Sequence, residues 1–137
     1  MIALDTNILI RFLVEDDAKQ AHAVHARFKQ AEAARERLFV PLLVVLETIW
    51  VLETAYEVPR EDILNALEKL RGMAILEFEA NDAVRQFLAE GRRCGADLPD
   101  LLIAHAAKAA GCDGAMTFDK KASKLPFFHL VNSKTSR

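Results

Sequence analysis

Acidic side chains stand at places in this sequence where short apolar segments end or helices begin. The four that matter most are Asp5, Glu47, Asp100 and Asp119. Ionised carboxylates that are gathered together repel one another and lose hydration, so a fold that gathers several usually holds a cation between them. A ligand set made only of oxygens suits a hard cation such as Mg²⁺. If these carboxylates converge, the sequence predicts a metal site.

Most of these acids also fit a structural role when each is taken alone. Asp5 follows an apolar segment and precedes a helical one, so it could cap the helix or form an Asx turn. Asp119 could cap a short helix in the same way. Asp97 and Asp100 have the spacing of a capping pair, with Asp97 as the cap and Asp100 in the first turn. We favour the capping role for Asp97 and a site role for Asp100, because a helix N-terminus favours the ionised carboxylate that a metal requires.

Glu47 lies in an apolar helical segment. Its neighbours one turn away are Leu43, Val44, Trp50 and Val51. A carboxylate buried among such residues is costly unless it meets a cation, a hydrogen-bond donor or water in a cleft. The alternative is a glutamate that reaches solvent at the edge of the helix. We predict that Glu47 meets a cation, a hydrogen-bond donor or water in a cleft.

The elements that must position these acids alternate between strands and helices. Strands are predicted at residues 2–5 (buried), 38–40, 74–78, 115–118 and 127–131. Helices are predicted at residues 7–14, 18–37, 41–56, 60–71, 81–93 and 98–110. Strands separated by helices favour a parallel sheet covered by helices on both faces. Asp5 and Asp119 each end a strand, so we expect both at the same sheet edge, where Asp100 and Glu47 would reach them from helices.

Composition favours one compact domain. The chain has 137 residues, of which 52% are apolar and 28% charged, and we assign residues 1–133 to a single domain with a frayed tail at 134–137. The net charge of −2 excludes a protein that holds DNA by bulk positive charge. No apolar run is long enough to span a membrane, so we expect a cytoplasmic protein. Cys94 and Cys112 lack the spacing of zinc ligands and are expected to be structural thiols.

The ordered motifs resemble the PIN-domain ribonucleases. They are Leu-Asp-Thr-Asn at 4–7, a helical glutamate at 47, Asp-Leu-Pro-Asp-Leu-Leu-Ile-Ala at 97–104 and Gly-Cys-Asp-Gly-Ala-Met-Thr-Phe-Asp at 111–119. The start of the chain looks most like the VapC-type toxins of bacterial toxin–antitoxin pairs. The resemblance implies a three-layer α/β/α fold with a mostly parallel sheet of four to five short strands. It also implies Mg²⁺ or Mn²⁺ dependence, cleavage of single-stranded RNA, a VapB-type antitoxin as partner, and a homodimer.

Matching the motifs residue by residue places Asp5, Glu47, Asp100 and Asp119 at the acidic site. Asp97 would then be peripheral, and two polar residues become possible supports for the site. These supports are Asn7 and Thr117. The chain departs from the family pattern at Pro99 and at Lys121-Ala122, which could alter the fit of the substrate without removing a ligand.

Basic residues that could steer an RNA backbone occur near two of the acids. They are Arg11, Lys120, Lys121 and Lys124. A solvated basic helix face is the alternative for each of them. Trp50 and the phenylalanines are expected in the core rather than as platforms on which bases stack.

Two other classes of function fit the sequence less well. A receiver-like phosphotransfer domain needs an acidic pair at the first strand, which Asp5-Thr6-Asn7 does not provide. A catalytically silent PIN-like scaffold that binds RNA or protein ranks second to the nuclease, because all four acidic positions are filled.

Overall fold

The computed structural model describes residues 1–132. The predicted tail at 134–137, and the last residue of the predicted domain 1–133, lie outside this range. The chain divides into two compact units, Met1–Asn81 and Asp82–Arg137. Each unit contains its own parallel sheet.

The first unit contains a three-stranded sheet and four helices. Its elements are β1 (Ile2–Ala3), α1 (Thr6–Leu13), α2 (Ala18–Ala34), β2 (Leu38–Val40), α3 (Leu42–Thr54), α4 (Arg60–Arg71) and β3 (Leu76–Phe78). The strand order is β1-β2-β3 and both pairings are parallel, with Ile2 opposite Leu38 and Leu38 opposite Leu76. Helix α1 packs against α2 and α3. Parallel pairing requires a crossover between consecutive strands, and the helices provide it.

Local sequence signals explain where these helices begin and end. Pro41 and Pro59 directly precede α3 and α4, since proline lacks the N–H that a helix start leaves unused. Asp17 caps α2 by accepting a hydrogen bond from the backbone N–H of Gln20. Helix α2 ends at Arg35, which has a left-handed backbone with φ of 53°.

The second unit contains helices α5 (Asn81–Arg93), which begins at the last residue of the first unit, and α6 (Leu98–Ala109), followed by strands β4 (Ala115–Thr117) and β5 (Phe128–Leu130). The two strands pair in parallel, with Ala115 opposite Phe128. A short 3₁₀ turn at Ala122–Lys124 lies between them. Ala104, Ala122 and Phe128 form a buried apolar cluster.

The predicted α/β class with parallel strands is confirmed. The described residues contain five strands, and each helix lies within three residues of its predicted limits. The prediction of a buried first strand is wrong, because the side chain of Ile2 is 59% exposed. This strand has two residues and lies at the end of its sheet, where few side chains cover it. Within residues 1–132, no helix combines the length and apolar character needed to cross a membrane.

Candidate active site

Two of the predicted ligands lie in the first unit, at the start of α1 and in α3. Asp5 is the N-cap of α1 and is exposed, and its Oδ1 accepts a hydrogen bond of 2.7 Å from the backbone N–H of Thr6. The side chain of Thr6 is only 4% exposed, and its hydroxyl donates to Glu47 Oε1 over 2.5 Å. Thr6 therefore connects the turn that carries Asp5 to the carboxylate of Glu47. Asn7, a predicted support, is exposed in the first turn of the same helix.

The surroundings of Glu47 differ from the prediction. Its side chain is exposed, and so are its apolar neighbours Leu43 and Trp50, at 78% and 59%. The buried side of α3 consists of other residues, among them Val45 and Ile49. Because α3 is apolar around most of its circumference, apolar neighbours did not identify its buried face. Glu47 meets a hydrogen-bond donor, the hydroxyl of Thr6, although its side chain is exposed. The expected core position of Trp50 is wrong.

The other two predicted ligands lie in the second unit. Asp100 is half-buried in the first turn of α6, and Asp119 is exposed just after β4. Asp119 Oδ1 accepts a hydrogen bond from the backbone N–H of Lys121, and Thr117 Oγ1 accepts one from the backbone N–H of Asp119. Thr117 therefore supports the turn that carries Asp119.

Asp97 has the predicted position but not the predicted contact. It is the N-cap residue of α6, yet its side chain makes no capping hydrogen bond. Its Oδ1 instead accepts a hydrogen bond of 3.1 Å from Lys121 Nζ. The backbone of Asp97, with φ of −58° and ψ of 133°, starts the helix while the carboxylate is turned toward the lysine.

Burial and neighbouring charges disfavour the charged form of Asp100. Burial of the side chain, followed by the negative charges of Asp97 and Asp119, raises the pKa of the Asp100 carboxyl above its ordinary value of 3.8. The ammonium group of Lys121 opposes this rise in part. A bound cation stabilises the charged form of a half-buried carboxylate that is flanked by like charges.

We expect the metal-free Asp100→Asn protein to be more stable than the wild type at neutral pH. A carboxyl with a raised folded-state pKa contributes stability that is present below its unfolded pKa and lost as the pH rises through the folded value. The advantage of the variant should therefore be largest near neutrality and should shrink toward about pH 4. Thermal unfolding in EDTA at several pH values measures this difference in stability between Asp100→Asn and the wild type. The control is Asp113→Asn, which changes an exposed carboxylate. A stability advantage of Asp100→Asn that does not change with pH would contradict a raised pKa of the Asp100 carboxyl.

The predicted RNA-backbone residues differ in their contacts. Arg11 donates to Gln20 over 2.6 Å, to Asp16 over 3.0 Å and to the hydroxyl of Tyr56 over 3.2 Å. A phosphate would have to compete with these partners, so the structure gives Arg11 a role in holding the first unit together. Lys120, Lys121 and Lys124 are all exposed, and Lys121 is paired with Asp97.

The donor set fits a divalent cation in its chemistry. Asp5 and Glu47 offer exposed carboxylates in the first unit, and the second unit offers the exposed carboxylate of Asp119 and the half-buried one of Asp100. Within residues 1–132, no group of three or more His, Cys, Asp or Glu side chains is already arranged to hold a metal ion. The half-buried position of Asp100, together with the negative charges of Asp97 and Asp119 that act on it, is an arrangement that a bound cation would neutralise.

Sequence reasoning missed two contacts. The hydroxyl of Thr6 donates a hydrogen bond to Glu47, which lies 41 positions away. No local sequence pattern predicts a contact over this separation. His105 is buried at 6% exposure and its Nε2 lies 2.7 Å from Glu90 Oε1. Glu90 and His105 lie on consecutive helices, 15 positions apart, so only the packing of α5 and α6 could show the pair.

The fold and these carboxylates define the class of protein. Residues 2–128 match the PIN domain family, and the chain therefore belongs to that family. It is also similar to a VapC ribonuclease of Aquifex aeolicus (strain VF5), with 28% identity over 127 residues that cover 93% of each chain. The resemblance seen in the sequence motifs is confirmed.

Proposed function

We propose that this protein is a metal-dependent endoribonuclease that cleaves single-stranded or loop RNA, and that it is the toxin of a toxin–antitoxin pair. The observation that carries the proposal is the half-buried Asp100, whose charged form is disfavoured by burial and by Asp97 and Asp119. Membership of the PIN domain family and the similarity to a VapC ribonuclease support the nuclease activity.

Four carboxylates are the proposed ligands of Mg²⁺ or Mn²⁺. Asp5 and Asp100 would bind the ion directly, while Glu47 and Asp119 would bind a second ion or orient water. When bound, the divalent cation would supply a water of lowered pKa and stabilise the negative charge that develops on the phosphate and leaving oxygen. No side-chain nucleophile is required for this reaction.

Other residues of the chain keep these carboxylates in place. The hydroxyl of Thr6 restricts Glu47 by donating to one of its oxygens, which leaves the second oxygen available. The turn after β4 restricts Asp119 through Thr117 and the N–H of Lys121. Lys121 also brings a positive charge beside Asp97, where an RNA phosphate would be attracted.

The proposal includes a VapB-type antitoxin and a homodimer. The resemblance to VapC-type toxins supports the antitoxin. Exposed apolar side chains on α3, Leu43 and Trp50, support a protein interface, since large apolar groups on one helix face are usually covered by a partner. A cytoplasmic location fits this proposal.

Metal dependence provides the direct test. Purified protein is incubated with structured and unstructured RNA in Mg²⁺ or Mn²⁺, then with EDTA, beside Asp5→Asn. We expect cleavage of the unstructured RNA with metal, loss of cleavage in EDTA, and recovery when metal is added back. Equal cleavage by wild type, variant and chelated samples would sink the proposal. RNA binding without any cleavage would favour the silent scaffold instead.

A further inference from the structure

A cavity of about 330 Å³ lies in the second unit, between the α5–α6 connection and the 3₁₀ turn. Its lining residues are Cys94, Gly95, Ala96, Lys121, Lys124 and Leu125. A volume of this order is at the lower end of what small-molecule sites in proteins occupy, roughly 300–1,000 Å³. The cavity is therefore large enough for a group of the size of a nucleotide.

The chemistry of the lining has two parts. Cys94, Ala96 and Leu125 provide apolar surface, and Lys121 and Lys124 provide positive charge. Lys121 is paired with Asp97, whereas residues 1–132 contain no ion pair of Lys124 within salt-bridge distance. A ligand that fits this lining has a flat apolar body and at least one anionic group. A nucleotide has both, in its base and its phosphate.

The cavity and the proposed ligand Asp100 share Lys121 as a neighbour. Ala96 in its lining directly precedes Asp97, and the Lys121 in its lining donates to Asp97 Oδ1. The charge of Lys121 also acts on Asp100 itself. A chain of RNA bound at Asp100 would therefore lie near the charge of Lys121, which also lines the cavity.

We propose that this cavity is a nucleotide subsite that holds one nucleotide of the RNA beside the one that is cut. The apolar walls would contact the base and the two ammonium groups would contact the phosphate. The inference rests on the proposed ribonuclease function, because it names a place for that substrate. The same lining could also accept a free mononucleotide, so the experiment must separate the two sources.

Two thiols of the chain provide a probe and its control. Cys94 lines the cavity, and Cys112 is exposed elsewhere in the second unit. The rate at which iodoacetamide alkylates each thiol is measured by mass spectrometry. The reactions contain EDTA and are run with and without a single-stranded RNA of about ten nucleotides. At about ten times the dissociation constant of the RNA, labelling of Cys94 should slow about tenfold, while labelling of Cys112 is unchanged. Equal slowing at both thiols, or at neither, overturns the subsite.

Variants test the same cavity by RNA affinity in EDTA. Lys124→Ala should weaken binding and reduce the slope of log affinity against log salt by about 0.7, the value of one phosphate contact with a single strand. The control is Lys29→Ala, which removes the same charge from an exposed position on α2. Ala96→Phe, which fills the cavity, should weaken binding too if its thermal unfolding matches the wild type. An unchanged salt slope in Lys124→Ala contradicts the phosphate contact.

The outcomes distinguish this inference from the proposed function. The thiol and affinity measurements contain no divalent metal, so they do not depend on cleavage. Protection of Cys94 without any metal-dependent cleavage would overturn the nuclease and leave the subsite. Cleavage without protection of Cys94 would overturn the subsite alone. If AMP, UMP, CMP or GMP protects Cys94 and RNA does not, the cavity binds free nucleotides and the RNA subsite is wrong.

Discussion

Asp100→Asn is expected to lower the rate of RNA cleavage by at least about a hundredfold. Residues that only support a metal ligand typically cost 10- to 100-fold when they are removed, so a direct ligand should cost no less. Asparagine keeps the shape of the side chain but removes the negative charge that holds a hard cation. The measurement is a single-turnover cleavage rate at several Mg²⁺ concentrations.

Two controls separate this loss from unfolding. Asp113→Asn makes the same chemical change at an exposed position near β4 and should cleave RNA at the wild-type rate. Asp100→Asn should also be at least as stable as the wild type at neutral pH, because it removes a carboxyl whose pKa is raised in the folded protein. Wild-type cleavage by Asp100→Asn would remove this residue from the site.

Thr6→Val is expected to reduce cleavage by about 10- to 100-fold, the usual effect of losing a partner that orients a ligand. Valine has nearly the shape of threonine and can fill the same buried position, but it cannot donate to Glu47. Without this hydrogen bond, Glu47 would also adopt orientations in which its carboxylate cannot bind a metal ion or orient water. We expect the loss to appear chiefly as a weaker apparent affinity for Mg²⁺.

Thr6→Ser is the matched variant, because it restores the hydroxyl and removes only a methyl group. It should recover most of the cleavage rate and of the Mg²⁺ affinity that Thr6→Val loses. A hydrogen bond to a charged group contributes about 1.5–3 kcal/mol to folding, so thermal unfolding of both variants is measured to separate a loss of stability from a loss of Mg²⁺ affinity. If Thr6→Val and Thr6→Ser bind Mg²⁺ equally well, the hydroxyl does not position Glu47.

Much of the fold could be predicted from local sequence signals. Pro41 and Pro59 marked the starts of α3 and α4, and the limits of α4 and α5 were predicted to the residue. These signals are short-range, since proline, glycine and hydrophobic periodicity act on the residues beside them. The alternation of strands and helices was then enough to predict parallel pairing.

The contacts of individual side chains were harder to predict. Helix α3 is apolar on most sides, so periodicity could not tell which face is buried, and Trp50, which was expected in the core, is exposed, as is Glu47. Asp97 had the position of a cap, but the lysine that attracts its carboxylate lies 24 positions later. Arg11 was predicted for RNA, yet three side chains of the first unit receive its hydrogen bonds.

The sequence by itself determined the family, the order of the elements and the four candidate ligands, because these depend on motif order and on short-range preferences. Only the tertiary structure showed that Thr6 holds Glu47, and that Asp97, Asp119 and Lys121 set the charge around Asp100. Those contacts join residues that are far apart in the chain. Long-range packing decides them, and no local pattern encodes which side chains it brings together.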